Sequence, residues 1–495
     1  LTPLILAYVT IEEYGLWSYC FVVLSYLALT AFGFNNTYIR YAADYRSRNE
    51  NDKLNELLTT GIITMLCISL ILFPLFWLLL PWLINVLGID PGLREAAEKL
   101  LLGTAVIFVL NFCLSGYQYI LEGEQRIALV RKIHLAATML EIALIILFFR
   151  VGFGVFSLLY AYAARLSLAI ILCIIFANRV FPFLRICIGC YSKEAIKKFL
   201  GFGNQMNVLG LLSLLINSVD RIFITRILHL EAVGIYEIGR KLPNIGLMLP
   251  SSIAGTMMPA ASHLEGSDQH DRLKKVYLVA TRYLMILSSI PYTYLILFSP
   301  WIIEVWVGQG YHQSAMVMQI LALGTFVNLF TGIGTACVRG TGKPLYEIKY
   351  MAVSVILILF LLPILIRSYG ITGAASAYCI GQSVGSIYFL WQANRLFDVS
   401  WLRFFEQVIQ PVLLMFALSL LPLLLCNFLW PLGKSSRWAG LSILIVTGAF
   451  YVFVGLVTLN LFQKRIFSIE ERKKILSIPL PYPIYSIWKR LWRAA

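Results

Sequence analysis

Apolar residues run through this chain in blocks of roughly 20 or more, separated by short polar stretches, from one end to the other. A block of that length crosses the hydrocarbon core of a bilayer as a helix. In lipid a lone segment has no other way to satisfy its backbone groups. The blocks predict 14 spans, at about 1–9, 14–36, 58–87, 97–121, 131–151, 154–177, 200–228, 232–260, 276–306, 314–337, 346–368, 372–394, 407–431 and 438–462. The first is incomplete. The expected fold class is therefore all-α and polytopic. Composition agrees: 59% of residues are hydrophobic and 13% charged, a balance foreign to soluble domains of this length.

A repeat underlies the spans. Glu12, Gly15, Leu16 and Trp17 recur 219 residues later as Glu231, Gly234, Ile235 and Tyr236. The segment beginning Pro81-Trp82 recurs at the same separation as Pro300-Trp301. Gly123 pairs with Gly340 at 217, and Gly152 and Tyr160 with Gly370 and Tyr378 at 218. Any one match is weak in apolar sequence, but a near-constant offset is the signature of an internal repeat. The unit is six helices, an even number, so both copies enter the membrane the same way, a parallel repeat. The expected organisation is a first six-helix lobe (1–178), a linker (179–199), a second six-helix lobe (200–396), two extra spans (397–462) and a basic interfacial tail (463–495). Leu1 aligns with Asp220, whereas the seventh span opens near 200. About 20 residues that would begin the first span are thus expected upstream.

Charge orients the chain. Its 40 Lys and Arg sort 28 to seven between the two sides, with five left inside the spans. That asymmetry places both termini in the cytoplasm. Net charge +15 then reflects loops facing anionic lipid, and no nucleic-acid partner need be invoked. The five intramembrane cations are Arg165, Arg221, Arg240, Lys241 and Arg282. Each costs about 3 kcal/mol or more at bilayer depth and is usually retained for a polar task. Asp220, Glu237 and Glu141 are the acids at comparable depth, as pairing partners or carriers of a coupling ion. Arg282, six residues inside its span, is equally suited to snorkel outward. Phe21 and Ile63 stand at the repeat positions of Arg240 and Arg282, so the positive excess belongs mainly to the second half.

No metal, cofactor or enzyme constellation is expected. Cys187 and Cys190 form a CxxC in a loop without further ligands nearby. A nucleotide-binding lysine loop, paired catalytic carboxylates and metal-spaced histidines are missing, and the five histidines are scattered. His134, near a span entrance, could titrate or sit packed and neutral. Asn204, Gln205, Asn207, Asn217, Asn328 and Gln382 are polar residues inside spans, suited to interhelical hydrogen bonds or to sugars. Gly33, Gly255 and Pro291 are places where a helix could bend.

The repeated Glu-x-x-Gly-aromatic loop, FGFNNTYIRYAADY (32–45), NSVDRIFI (217–224), EAVGIYEIGRKL (231–242) and VRGTGKP (338–344) resemble the polysaccharide transporter family. That family belongs to the multidrug/oligosaccharidyl-lipid/polysaccharide exporter superfamily. The resemblance covers roughly residues 1–460. It implies two six-helix bundles of the MATE and MurJ type with two added helices. It also implies a flippase that carries an undecaprenyl-diphosphate-linked oligosaccharide for O-antigen, capsule or exopolysaccharide synthesis, in the bacterial inner membrane, by alternating access. Polymerase and glycosyltransferase partners are implied as well. In that setting Arg240, Lys241, Arg165, Arg221 and Arg282 become candidates to hold the diphosphate, since guanidinium forks suit phosphate oxygens. Arg40 is either an interfacial anchor or a capture point at the inner mouth. The alternative is a drug/cation or other lipid-precursor exporter of the same fold, which the positive excess disfavours.

Overall fold

The computed structural model describes residues 2–27, 34–48, 50–201, 204–418, 420–433 and 437–461. These form helices joined by short turns: α1 Thr2–Leu6, α2 Ile11–Leu27, α3 Phe34–Ser47, α4 Asn51–Leu87, α5 Arg94–Leu114, α6 Gly116–Gly123, α7 Ile127–Val151 and α8 Phe156–Val180. The second half begins with α9 Lys193–Gly201, α10 Asn204–Gly246, α11 Met248–Gly266 and α12 His270–Trp306. It continues with α13 His312–Leu329, α14 Gly332–Gly340 and α15 Leu345–Leu396, then α16 Trp401–Phe404, α17 Gln410–Leu418, α18 Leu420–Gly433 and α19 Arg437–Leu461. The basic tail after 463 and Gly33 lie outside the described residues.

Among the described residues ten helices are long and apolar enough to cross a membrane. This is fewer than the 14 blocks for two reasons: α1 and α2, of 5 and 17 described residues, are too short to count, and two other helices run on through a bend. α15 joins two spans through Gly370, whose φ of 59° and ψ of −138° reverse the chain without a loop. α10 does the same at His229, with φ 67° and ψ −179°. Only glycine adopts that region without strain.

Two compact units result. One gathers the residues up to Glu237 with Leu362–Ile371; the other gathers Ile238–Leu361 and the residues from Thr372 onward. In the first unit Tyr38, Leu57, Leu58, Ile120, Leu121, Val130 and Ala137 form a continuous buried core. In the second, the added C-terminal helices pack on α12. Phe298, Cys426 and Trp430 are buried there, and the Tyr294 hydroxyl donates to the Leu444 carbonyl at 2.8 Å.

The repeat is visible in atomic detail. At Gly123 a Cβ would meet the Ile39 carbonyl and Ala42; at Gly340 it would meet the Met258 carbonyl and Ala261, the same pair 219 residues on. The turns that follow match bond for bond: Gln125 N–H donates to the Glu122 carbonyl and Arg126 N–H to Leu121, as Gly342 does to Arg339 and Lys343 to Val338. Gln125 (φ 59°) therefore takes the left-handed backbone that Gly342 (φ 71°) takes in the other copy. At the start of the repeat the copies meet each other inside the first unit. Gly15 lies against the Leu230 carbonyl and Gly234 against the Ile11 carbonyl, a reciprocal contact in which each glycine faces the other copy's backbone. Small residues at such crossings let membrane helices approach closely. α2 is opened by a capping box: Thr10 N–H donates to the Glu13 carboxylate at 2.9 Å and Glu13 N–H to the Thr10 hydroxyl at 3.2 Å.

Candidate functional site

In the first unit the NSVDRIFI segment builds a charged cluster on α10. Asp220 is fully buried. Its carboxylate accepts the Tyr236 hydroxyl at 2.6 Å and the backbone N–H of Arg221 at 2.8 Å. A buried carboxylate is tolerable only with such donors. Arg221 reaches Glu237 at 3.2 Å and Asp220 at 3.9 Å, and donates to the Asn217 carbonyl one turn back. The kink at His229 is what folds the helix so that residues 220 and 236 meet; on a straight helix they would lie about 24 Å apart.

The second cluster of this unit joins α7 and α8. Arg165 Nε is 3.1 Å from Glu141, the partner expected from depth. Its guanidinium lies 5.0 Å from the Tyr162 ring centroid. Tyr162 also meets Trp17 and Phe21 edge-on, at 6.0 and 5.3 Å. Both ionic side chains keep partial access, 27% for Arg165 and 20% for Glu141.

In the second unit Arg240 is 5% exposed and lies 5.9 Å from the ring centroid of Tyr378. Lys241, the next residue on α10, is half-buried. Arg282 on α12 is 6% exposed, with its guanidinium 5.4 Å from the Tyr283 ring centroid. Arg40 falls on α3, and its side chain lies outside the described residues, as do those of Asn204 and Gln205.

The other polar candidates behave mainly as structural bonds. Asn328 donates to Gln382 at 3.4 Å and to Ser386 at 3.2 Å, tying α13 to α15. Asn217 bonds back to the Ser213 carbonyl at 2.8 Å. His134 on α7 meets Gln118 on α6 at 3.2 Å, and Gln118 donates to Glu122 at 3.0 Å. These two line a small cleft with Asn111, Ser115 and Cys173.

Sequence reasoning missed the aromatic partners. Tyr162 precedes Arg165 by three positions, a spacing that puts both on one helix face, so that contact had a signal. Tyr236 on Asp220 and Tyr378 near Arg240 had none. Among the described residues no cluster of three or more His, Cys, Asp or Glu could hold a metal ion. By sequence, five cations and three carboxylates lie well inside the spans.

Comparison with known proteins fits this picture. Residues 6–339 match the family model described as "Polysaccharide biosynthesis protein". The "Putative O-antigen transporter" of Shigella flexneri is 22% identical over 394 residues, covering 78% of this chain and 91% of that protein. Among solved structures, "Lipid II flippase MurJ, inward closed conformation" superposes with a TM-score of 0.65 at 16% identity, over 92% of this chain and 97% of that one. An inward-facing "multidrug resistance MATE family transporter of the MOP superfamily" gives 0.65 at 17% identity, over 78% and 91%. At such identities the structural likeness speaks for the fold.

Proposed function

We propose that this chain, which belongs to the polysaccharide biosynthesis protein family, is a flippase that moves an undecaprenyl-diphosphate-linked oligosaccharide repeat unit across the cytoplasmic membrane. The observation that carries this reading is the sign of the charge held at membrane depth. Arg165, Arg221, Arg240, Lys241 and Arg282 exceed Glu141, Asp220 and Glu237 by two. A diphosphate stripped of water loses several kcal/mol per unsatisfied group, and forked guanidinium donors replace that hydration. The prenyl tail can stay in lipid throughout. Aromatic faces such as Tyr162 and Tyr378 stand beside these cations, where sugar rings could pack.

The route is alternating access of the two like-folded repeats, residues 1–178 and 200–396. Positive-inside charge puts both termini in the cytoplasm, so the substrate enters from the side where glycans are assembled. An inside-negative potential assists outward movement of an anion by about 2.3 kcal/mol per charge per 100 mV. Asp220, Glu237 and Glu141 are the acids available to an ion-coupled cycle. Glycosyltransferases would supply the substrate and a polymerase would consume it, with no catalytic group needed on this chain. A drug/cation exporter of the same fold would favour an anionic pocket, contrary to the excess here.

The test replaces Arg240 and Arg165 singly by Ala and by Lys at matched membrane levels, and scores surface glycan. Loss in the Ala variants with partial rescue by Lys is expected. Display at the unsubstituted level in all four would remove the anion-handling role.

A further inference from the structure

The CxxC of the inter-repeat connector is not absorbed by the transport reading. It sits in the loop between α8 and α9, outside every apolar span, and this loop is fastened to α4 by four hydrogen bonds. The Asn55 side chain donates to the Phe183 carbonyl at 3.1 Å and accepts from the Arg185 N–H at 2.9 Å. The Thr59 hydroxyl accepts from the Cys187 N–H at 3.2 Å, and that of Thr60 from the Ser192 N–H at 3.0 Å. Both threonines are fully buried. Between these anchors Ile188–Cys190 form one turn of 3₁₀ helix, closed by Cys190 N–H donating to the Cys187 carbonyl at 2.8 Å. Cys187 caps this turn and Cys190 ends it, so the two thiols stand at the ends of a single turn, close enough for each to shift the other's acidity. Cys187 is exposed and Cys190 half-buried. The other seven cysteines lie on helices inside the spans, most of them buried.

We propose that Cys187 and Cys190 form a thiol–disulfide exchange site for low-molecular-weight disulfides. The Cys187 thiolate attacks one sulfur of the incoming disulfide, forms a mixed disulfide and expels one small thiolate. The Cys190 thiolate then attacks the Cys187 sulfur, closes the protein disulfide and expels the second. Two protein thiols are oxidised and one disulfide is reduced to two thiols, with the two protons passing to the leaving groups. The roles are unequal for an electrostatic reason. The Cys190 thiol and the Gly189 backbone N–H stabilise a thiolate at Cys187 and hold its pKa below the usual thiol range. Cys190 is pushed up, first by the hydrogen bond it gives Cys187 and then by burial, by the charge on Cys187 and by Glu56 and Asp52. The more acidic, more exposed thiol is the entry point. The loop is the covalent connection between the repeats, so a bond formed there shortens and stiffens that connector.

The experiment uses the full chain in detergent, oxidised glutathione as the probe, and intact mass with peptide mapping as the readout. The unsubstituted protein should lose two hydrogens, mapped to 187 and 190, and regain them with dithiothreitol. Cys190→Ser should instead trap one glutathione on Cys187. Cys187→Ser leaves Cys190 half-buried and beside Glu56 and Asp52, so it should react there more slowly than Cys187 does in Cys190→Ser. Equal rates in the two single variants, or a glutathione adduct on the unsubstituted protein that never closes to a disulfide, would overturn the proposal.

Discussion

The reciprocal glycine contact near the start of each repeat gives a sharp test of how the copies are joined. A Cβ built at Gly234 stands 2.5 Å from the Ile11 carbonyl oxygen, and one at Gly15 stands closer still to that of Leu230. Ordinary contact begins near 3.4 Å, so either alanine requires the two backbones to separate by about 1 Å. Overpacking typically costs 1–3 kcal/mol. Here the obstacle is backbone rather than a side chain that could swing away, so each of Gly15→Ala and Gly234→Ala should cost about 3 kcal/mol. The same separation relieves both clashes. The double variant should therefore cost about 1–2 kcal/mol less than the sum, a coupling within the range seen for residues in contact. Thermal unfolding in detergent, followed by the monodisperse fraction remaining after heating, reads all four corners of the cycle. Strict additivity, or two alanines with no effect, would refute the reciprocal crossing.

Removing Glu141 by alanine should cost about 2 kcal/mol, because it strands Arg165 partly buried; the Glu141→Leu/Arg165→Met double variant should recover most of that loss in the same thermal assay. Tyr236→Phe removes a donor to the fully buried Asp220 carboxylate and should cost about 2 kcal/mol, the value of a hydrogen bond to a charged group. Gln125→Gly should stabilise by about 1 kcal/mol, since it relieves a left-handed backbone that the other repeat already gives to Gly342; destabilisation would show that the Gln125 side chain matters more than its φ.

The architecture was legible where physics forces a residue type at a fixed place. Gly15, Gly234, Gly123 and Gly340 stand where backbone meets backbone, so they persist at the repeat offset while their apolar neighbours drift. The partnership of Glu141 with Arg165 was legible too, because a lone cation and a lone acid at one depth on adjacent helices have few other choices. What stayed hidden depends on where the chain bends. The kinks at His229 and Gly370 run pairs of spans into single helices, so counting apolar blocks did not give the number of continuous helices. The His229 bend also decides that Tyr236 returns to Asp220, a bond between positions 16 apart that no periodicity reveals. Arg221 had two acids within reach in sequence, and the geometry gives it both. Gln125 carries no mark of its left-handed backbone; only its alignment with Gly342 does.

The central claim concerns what is carried and which charges hold it, and reconstitution addresses it most directly. Purified protein in proteoliposomes would be supplied with an undecaprenyl-diphosphate oligosaccharide on one leaflet, and its arrival on the other followed by accessibility to an added glycan-cleaving enzyme. The account predicts time-dependent transfer that falls about tenfold or more in Arg240→Ala while that variant remains monodisperse, the equivalent of at least 1.4 kcal/mol of lost anion stabilisation. Transfer at the same rate in both proteins, or no transfer of the glycan lipid alongside active movement of a cationic drug, would contradict it.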